Sequence, residues 1–171
     1  SFPTRRSSDL HVLQTGFDFG LQFLATWWAW RQTPHRPERL FYSVLTQQNW
    51  PSLAALESLP LPPALKALRT EWLATWRGMT PGTHRLVLAG GQVQLSLHSS
   101  PSNKLLRELD VTVDSVLLEP GFFAPPESAP LPPASPGQSL QTLSRLCRLG
   151  TRVFLVHGDG QHQSHNTNTN T

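Results

Sequence analysis

Two short stretches of this 171-residue sequence carry residue types that could do chemistry. The first is Gln14-Thr15-Gly16-Phe17-Asp18-Phe19-Gly20, where an apolar run (Val12, Leu13) gives way to a helix-like segment. Glycines at such a joint let backbone amides approach a polar cofactor, which is the chemistry of a nucleotide-binding turn. The plainer alternative is a tight strand-to-helix turn with no ligand. The second stretch ends in Glu119, placed directly after the apolar run Val113 to Leu118. A strand there delivers Glu119 to the edge at which open α/β sheets take ligands. His157, Asp159, His162 and His165 also gather donor atoms, but their Gly/Gln/Ser-rich setting lacks a helical i, i+4 pair, so no metal is expected.

The elements that must position these residues follow from periodicity. His11 to Thr15 reads as a buried strand, and Leu21, Phe23, Leu24, Trp27, Trp28 and Trp30 as a helix apolar over more than half its circumference. Leu40 to Leu45 is a continuous apolar strand of the parallel-sheet kind, which completes a βαβ unit. Pro51-Ser52 opens a short helix to Leu59, and a second helix carries Leu65, Leu68, Trp72 and Trp76 on one face. Trp27, Trp28, Trp30, Trp72 and Trp76 are expected in the core. His84 to Leu88 and Gln92 to His98 flank Ala89-Gly90-Gly91 as a hairpin. A capped helix from Ser102 to Leu109 and a strand from Val113 to Leu118 follow. Pro120 to Gly137 must be a loop, and Gln138 to Leu149 reads as a helix closed by Gly150, with Cys147 turned inward. Thr151 to His157 is a last strand.

Composition bounds the rest. A 38% hydrophobic content suits one ordinary domain, and 16 prolines keep its helices short. The net charge of +3 is compatible with an anionic partner, but arginines such as Arg69, Arg77, Arg85, Arg107, Arg145 and Arg148 are scattered. One cysteine excludes an internal disulfide, and neither a membrane-length apolar span nor a leader pattern is visible, so a cytoplasmic monomer is expected. Residues 1–10, SFPTRRSSDL, look like the translation of a short-read sequencing adapter; the domain is expected to run over 11–158, with more of the gene upstream. The polar tail 159–171 is expected to be disordered.

With the elements in this order, a family resemblance emerges. QTGFDFGLQFLATWWAW resembles E-T-G-F-G-T-G-L-N-F followed by a Trp-containing helix, a pattern of the methyltransferase domain of the bacterial bifunctional tRNA 5-methylaminomethyl-2-thiouridine biosynthesis protein. RLFYSVLTQQNWPSLAAL is similar to its R-L-x-F-V-S-V-E-K-x-P-L, HRLVLAGGQVQLSL to H-R-L-x-x-x-G-G-R-V-x-L-x-L, and VDSVLLEPGFFAP to V-D-A-W-F-L-D-G-F-A-P. The resemblance implies an α/β, Rossmann-like S-adenosylmethionine-dependent methyltransferase fold, incomplete at its N-terminus. It further implies methylation of the aminomethyl group on a tRNA wobble uridine, with FAD confined to a fused or partner oxidase domain. The implied cofactor site consists of Gln14, Thr15, Gly16, Phe17, Gly20, Leu45 and Phe123, and Glu119 would orient or deprotonate the substrate amine where the family carries Asp.

Four segments depart from the pattern. Asp18-Phe19 replaces Gly-Thr in the first loop, where an aromatic ring is expected to collide with the cofactor. Leu45, followed by Thr46-Gln47-Gln48, is read at the position of the acidic ribose ligand, whose charged hydrogen bond is worth about 1.5–3 kcal/mol, or roughly ten- to hundredfold in affinity. Ser99-Ser100-Pro101 stands where a Gly-Asp pair approaches the adenine. The loop after Glu119 keeps Phe123-Ala124-Pro125 but inserts Pro120-Gly121. Two functions therefore follow: an active methyltransferase, or an emptied fold with a structural or tRNA-docking role beside the oxidase.

Overall fold

The computed structural model describes residues 9–100 and 112–118 in full and the backbone of 147–155. Strand β1 (Asp9–Thr15) leads into helix α1 (Leu21–Gln32), which returns through a polar turn to β2 (Arg39–Thr46). Helices α2 (Leu53–Ser58) and α3 (Pro63–Leu73) precede β3 (Thr83–Leu88), a 3-10 turn over Ala89–Gly91, and β4 (Val93–Ser99). Strands β5 (Val113–Leu118) and β6 (Cys147–Leu155) complete the described elements.

The strands form one sheet in the order β3-β4-β2-β1-β5-β6. Every pair is parallel except the β3–β4 hairpin at the edge. The expected βαβ unit is therefore present, since β1 and β2 pair in register from Asp9 with Arg39 to Thr15 with Leu45. From β1 the chain winds outward to β2 and β4, then crosses back to β5 on the other side of β1. This reversal is the topological switch point at which such sheets bind ligands.

One sheet face presents Val12, Leu40, Tyr42, Val44, Val93, Leu95 and Leu97 to Phe23, Leu24, Trp27 and Trp30 of α1 and to Leu68 and Trp72 of α3. At about 25 cal/mol per Å² this continuous apolar layer is the main stabilising term of the described region. Ser52 caps α2 by accepting from the Ala55 N–H, 3.2 Å, and Pro63 occupies the first turn of α3, where its missing N–H costs nothing. Arg69 donates to the carbonyls of Leu56 and Leu59, at 3.1 and 2.6 Å, and so ties α3 to the end of α2. That arginine is engaged in the fold, not presented to a partner.

Three expectations are corrected. Trp28 is 42% exposed, because α1 buries Phe23, Leu24, Trp27 and Trp30 and its 3.6-residue period places Trp28 at the flank of that arc and not within it. Helix α3 ends at Leu73, so Trp76 reaches the core from the following turn and not from the helix face. Strand β6 begins at Cys147, which takes Cys147 to Leu149 and the expected cap Gly150 out of the helix and into the sheet. β1 also starts two residues ahead of His11, with Asp9 accepting from the Arg39 guanidinium at 3.1 Å. The expected helix 102–109, the loop 120–137 and the tail 159–171 lie outside the described residues. No helix among those described is long and apolar enough to cross a membrane.

Candidate functional site

The carboxyl ends of β1, β2 and β4 are laced together by backbone bonds. The Gly16 N–H donates to the Leu45 carbonyl at 2.7 Å, and the Ser100 N–H to that of Thr46 at 3.0 Å. The Ser99 hydroxyl donates to the Gln48 carbonyl at 2.8 Å. This rim is where the sequence places the cofactor turn.

Within the turn, Gly16 and Gly20 both adopt left-handed conformations, φ 81° and 85°. A side chain at either would be strained, which is why glycine occupies both. Thr15 is buried and points its hydroxyl at the Leu117 carbonyl, 3.5 Å, joining the turn to β5. Phe17 stacks on Trp76 with centroids 6.2 Å apart and meets Trp50 edge-on at 5.4 Å. Phe17 thus anchors the loop to the ring cluster beneath it, and Trp50 joins that core cluster.

Asp18 holds the turn electrostatically. Its carboxylate accepts from the Gln14 amide, 3.1 Å, and from the Gln22 N–H in the first turn of α1, 3.1 Å. A carboxylate at a helix N-terminus satisfies an otherwise unpaired donor and complements the helix dipole. Behind it, the buried Tyr42 hydroxyl donates to the other end of the Gln14 amide at 2.5 Å. Burial pushes the Asp18 carboxyl above its ordinary 3.8, against the lowering effect of its bonds from Gln14 and the backbone. Burial, helped by the charge of Asp18, also raises Tyr42 well above its ordinary value, so its proton stays on the hydroxyl.

Phe19, the residue expected to collide with a cofactor, lies exposed in the turn. Phe19 adopts a left-handed conformation, φ 60°, and is 42% exposed. Its ring is turned toward solvent because Asp18 and Gly20 are fixed on either side. Leu45 is 2% exposed and aligned in register with Thr15 and His98, so its side chain belongs to the sheet and not to the rim. Counted without a gap from Arg39, the acidic position of R-L-x-F-V-S-V-E falls one residue later, on Thr46. Thr46 ends β2 and its hydroxyl accepts from the Gln48 N–H at 3.2 Å.

At the end of β4, His98 shares a hydrogen bond with the Thr83 hydroxyl, 3.2 Å. Burial and then the nearby Arg85 lower its pKa, which favours the neutral ring. Glu119 and Phe123 lie outside the described residues, as do His157, Asp159, His162 and His165; among the described residues no cluster could hold a metal. Sequence reasoning missed Tyr42 and the capping role of Asp18. An Asp placed four residues before Gln22 at a helix start was the available signal for the second.

Two left-handed glycines, Gly16 and Gly20, bound the β1–α1 joint, and the space beside Gly20 is filled by the Trp72 indole. At the expected ribose and adenine positions stand Thr46, Gln47, Gln48, Ser99 and Ser100, neutral where the family pattern has carboxylates, and groups of Thr46, Gln48, Ser99 and Ser100 bond one another.

Strand order, the glycine-bounded β1–α1 joint and the switch point between β1 and β5 together define a Rossmann-like α/β fold of the methyltransferase type. No family model matches the sequence. The chain is 41% identical over 144 residues to the tRNA 5-methylaminomethyl-2-thiouridine biosynthesis bifunctional protein MnmC of Acidovorax sp. (strain JS42), covering 83% of this chain and 21% of that protein. It is 37% identical over 143 residues to MnmC of Delftia acidovorans, with the same coverages. The match to MnmC of Verminephrobacter eiseniae is 39% over 147 residues, 83% of this chain and 23% of that protein. The chain is a homologue of this bifunctional family and spans about a fifth of the length of these relatives.

Proposed function

We propose that this chain is the S-adenosylmethionine-binding methyltransferase part of a tRNA-modifying protein that acts on the aminomethyl group of a wobble uridine. The observation that carries this reading is the course of Gly16 to Gly20, where both glycines are left-handed and the Phe19 ring turns outward. The cofactor would lie over Gln14 to Gly20, with its ribose toward Thr46 and Gln47. When bound, it supplies an electrophilic methyl group to the amine nitrogen. Glu119 would orient the unprotonated amine and take the proton released as the new C–N bond forms. An FAD-dependent oxidase, in the same gene product or a partner, would work on the same modification, in the cytoplasm where tRNA is found.

A second reading has a specific observation behind it. The Asp18 carboxylate already satisfies the first turn of α1, as an emptied fold would require of its own side chains. Calorimetric titration of S-adenosylmethionine into the full chain, with Thr46→Glu alongside, separates the two. Saturable binding by the natural chain, tightened roughly tenfold or more by Thr46→Glu, is expected. A natural chain that stays silent, whether or not Thr46→Glu recovers binding, sinks the enzymatic reading.

A further inference from the structure

Phe19 combines three properties that seldom coincide. It is a non-glycine residue in the left-handed region, φ 60°. It is a large aromatic residue with 42% of its surface exposed. And it sits in the rim loop at the switch point of the sheet, where ligands bind. Backbone strain of this kind persists only where the surroundings over-determine it, and it gathers at functional sites.

The surroundings here are explicit. On one side, Asp18 is pinned by bonds from Gln14 and the Gln22 N–H. On the other, Gly20 packs so closely on Trp72 that the backbone cannot shift inward. One residue further back, Phe17 is clamped among Trp50, Trp72 and Trp76. Phe17 and Phe19 therefore divide the labour of the loop: one ring anchors it in the core, and the other is left exposed. A ring needed only for packing would have been buried with its neighbour.

We propose that Phe19 is a positioning residue that stacks on an unpaired nucleobase of the RNA substrate. The inference rests on the reading of the chain as a tRNA-modifying domain and adds the contact that would receive the base. An aromatic face serves any base and needs no hydrogen-bond pattern, which is how unpaired nucleotides are commonly held. The cofactor's own adenine is the competing occupant, but its expected place is beside Thr46 and Ser99, at the ends of β2 and β4, whereas Phe19 follows β1. Phe17 and the Trp72 indole pack under the loop, and the exposed Phe19 is the aromatic ring it presents outward.

The test measures two affinities on the full chain: S-adenosylmethionine by calorimetry, and a fluorescent anticodon stem-loop RNA with an unmodified wobble uridine by anisotropy. Phe19→Leu, which removes the ring but keeps an apolar side chain, is expected to weaken RNA binding about ten- to a hundredfold and to leave cofactor affinity unchanged. Phe19→Trp should restore RNA binding. Far-ultraviolet circular dichroism and a urea midpoint establish that each variant is folded. Unchanged RNA affinity in Phe19→Leu, loss of cofactor affinity instead, or a natural chain that does not bind the RNA would each overturn the assignment. Failure of the natural chain to bind cofactor, with RNA binding still dependent on the ring, would sink the methyltransferase reading and leave the stacking role standing.

Discussion

The indole of Trp72 occupies the space that a side chain on Gly20 would need: an ideal Cβ there would lie against Cη2 and 2.5 Å from Cζ3. Trp72 is fully buried between α1 and the ring cluster, so it cannot move aside. The glycine that opens α1 is thus required twice over, by its left-handed φ of 85° and by this contact.

Gly20→Ala should therefore cost about 2–4 kcal/mol, part from the left-handed backbone and part from overpacking. Trp72→Leu removes the obstructing ring at the cost of a cavity. Because the Trp72 ring is the obstacle, the double variant should be less destabilised than the sum of the two single changes. Urea midpoints for the four proteins check it; strictly additive costs would refute the contact.

Tyr42→Phe tests the buried relay behind the turn. It leaves the Gln14 carbonyl oxygen without the donor it now has at 2.5 Å, in a place water does not reach. The expected loss is about 1–3 kcal/mol. Because Gln14 also donates to Asp18, a second readout is available: amide exchange of the Gln22 N–H should speed up more than that of residues late in α1. Uniform acceleration along the helix would mean only global destabilisation.

Much of this was legible in the sequence, and the misses have physical reasons. The run Leu40 to Leu45 and the alternation in Val93 to Leu97 announced β2 and β4, because a strand's period is set by burial on fixed faces. Trp28 was misplaced because α1 is apolar almost all round, and such a helix carries no periodic signal to say which arc faces out. Cys147 was assigned to a helix on local spacing, but pairing with β5 extends β6 back to it, and tertiary pairing overrides a three-residue helix end. Gly16 and Gly20 were visible as a turn from their type alone. The left-handed backbone of Phe19 was not legible, since sequence gives the residue and not its φ. The relay from Tyr42 through Gln14 to Asp18 spans 28 residues at its first step, and no local pattern reveals such a contact.

The distinction between Leu45 and Thr46 can be measured directly. Leu45→Glu buries a carboxylate where only 2% of the residue is exposed, and should destabilise the fold by roughly 3 kcal/mol or more. Thr46 is itself buried, 6% exposed, but it ends β2, and Thr46→Glu places the same group within reach of the Gln48 N–H, whose hydrogen bond the threonine hydroxyl now accepts. It should cost clearly less. Thermal midpoints of the two variants, taken side by side at pH 7.5, check the order; equal losses would show that the rim begins later than Thr46.

Asp18 gives the protein an unusual pH dependence. Burial raises its pKa in the folded state above the ordinary 3.8, outweighing the hydrogen bonds that favour the charged form. The folded state therefore holds the proton more tightly than the unfolded one, so this group's contribution to stability is full below about pH 3.8 and is lost as the pH climbs through the raised value. Most carboxylates paired in folded proteins act in the opposite sense. Asp18→Asn cannot titrate, and its single amide oxygen can accept from Gln14 or from the Gln22 N–H but not from both. The variant should be less stable than the natural chain at acid pH, and the gap should narrow as the pH rises toward neutrality. Urea unfolding midpoints at half-unit steps from pH 3.5 to 7.5 provide the comparison. A gap that widens with pH would mean that the two hydrogen bonds outweigh burial and that Asp18 is an ordinary helix-capping carboxylate.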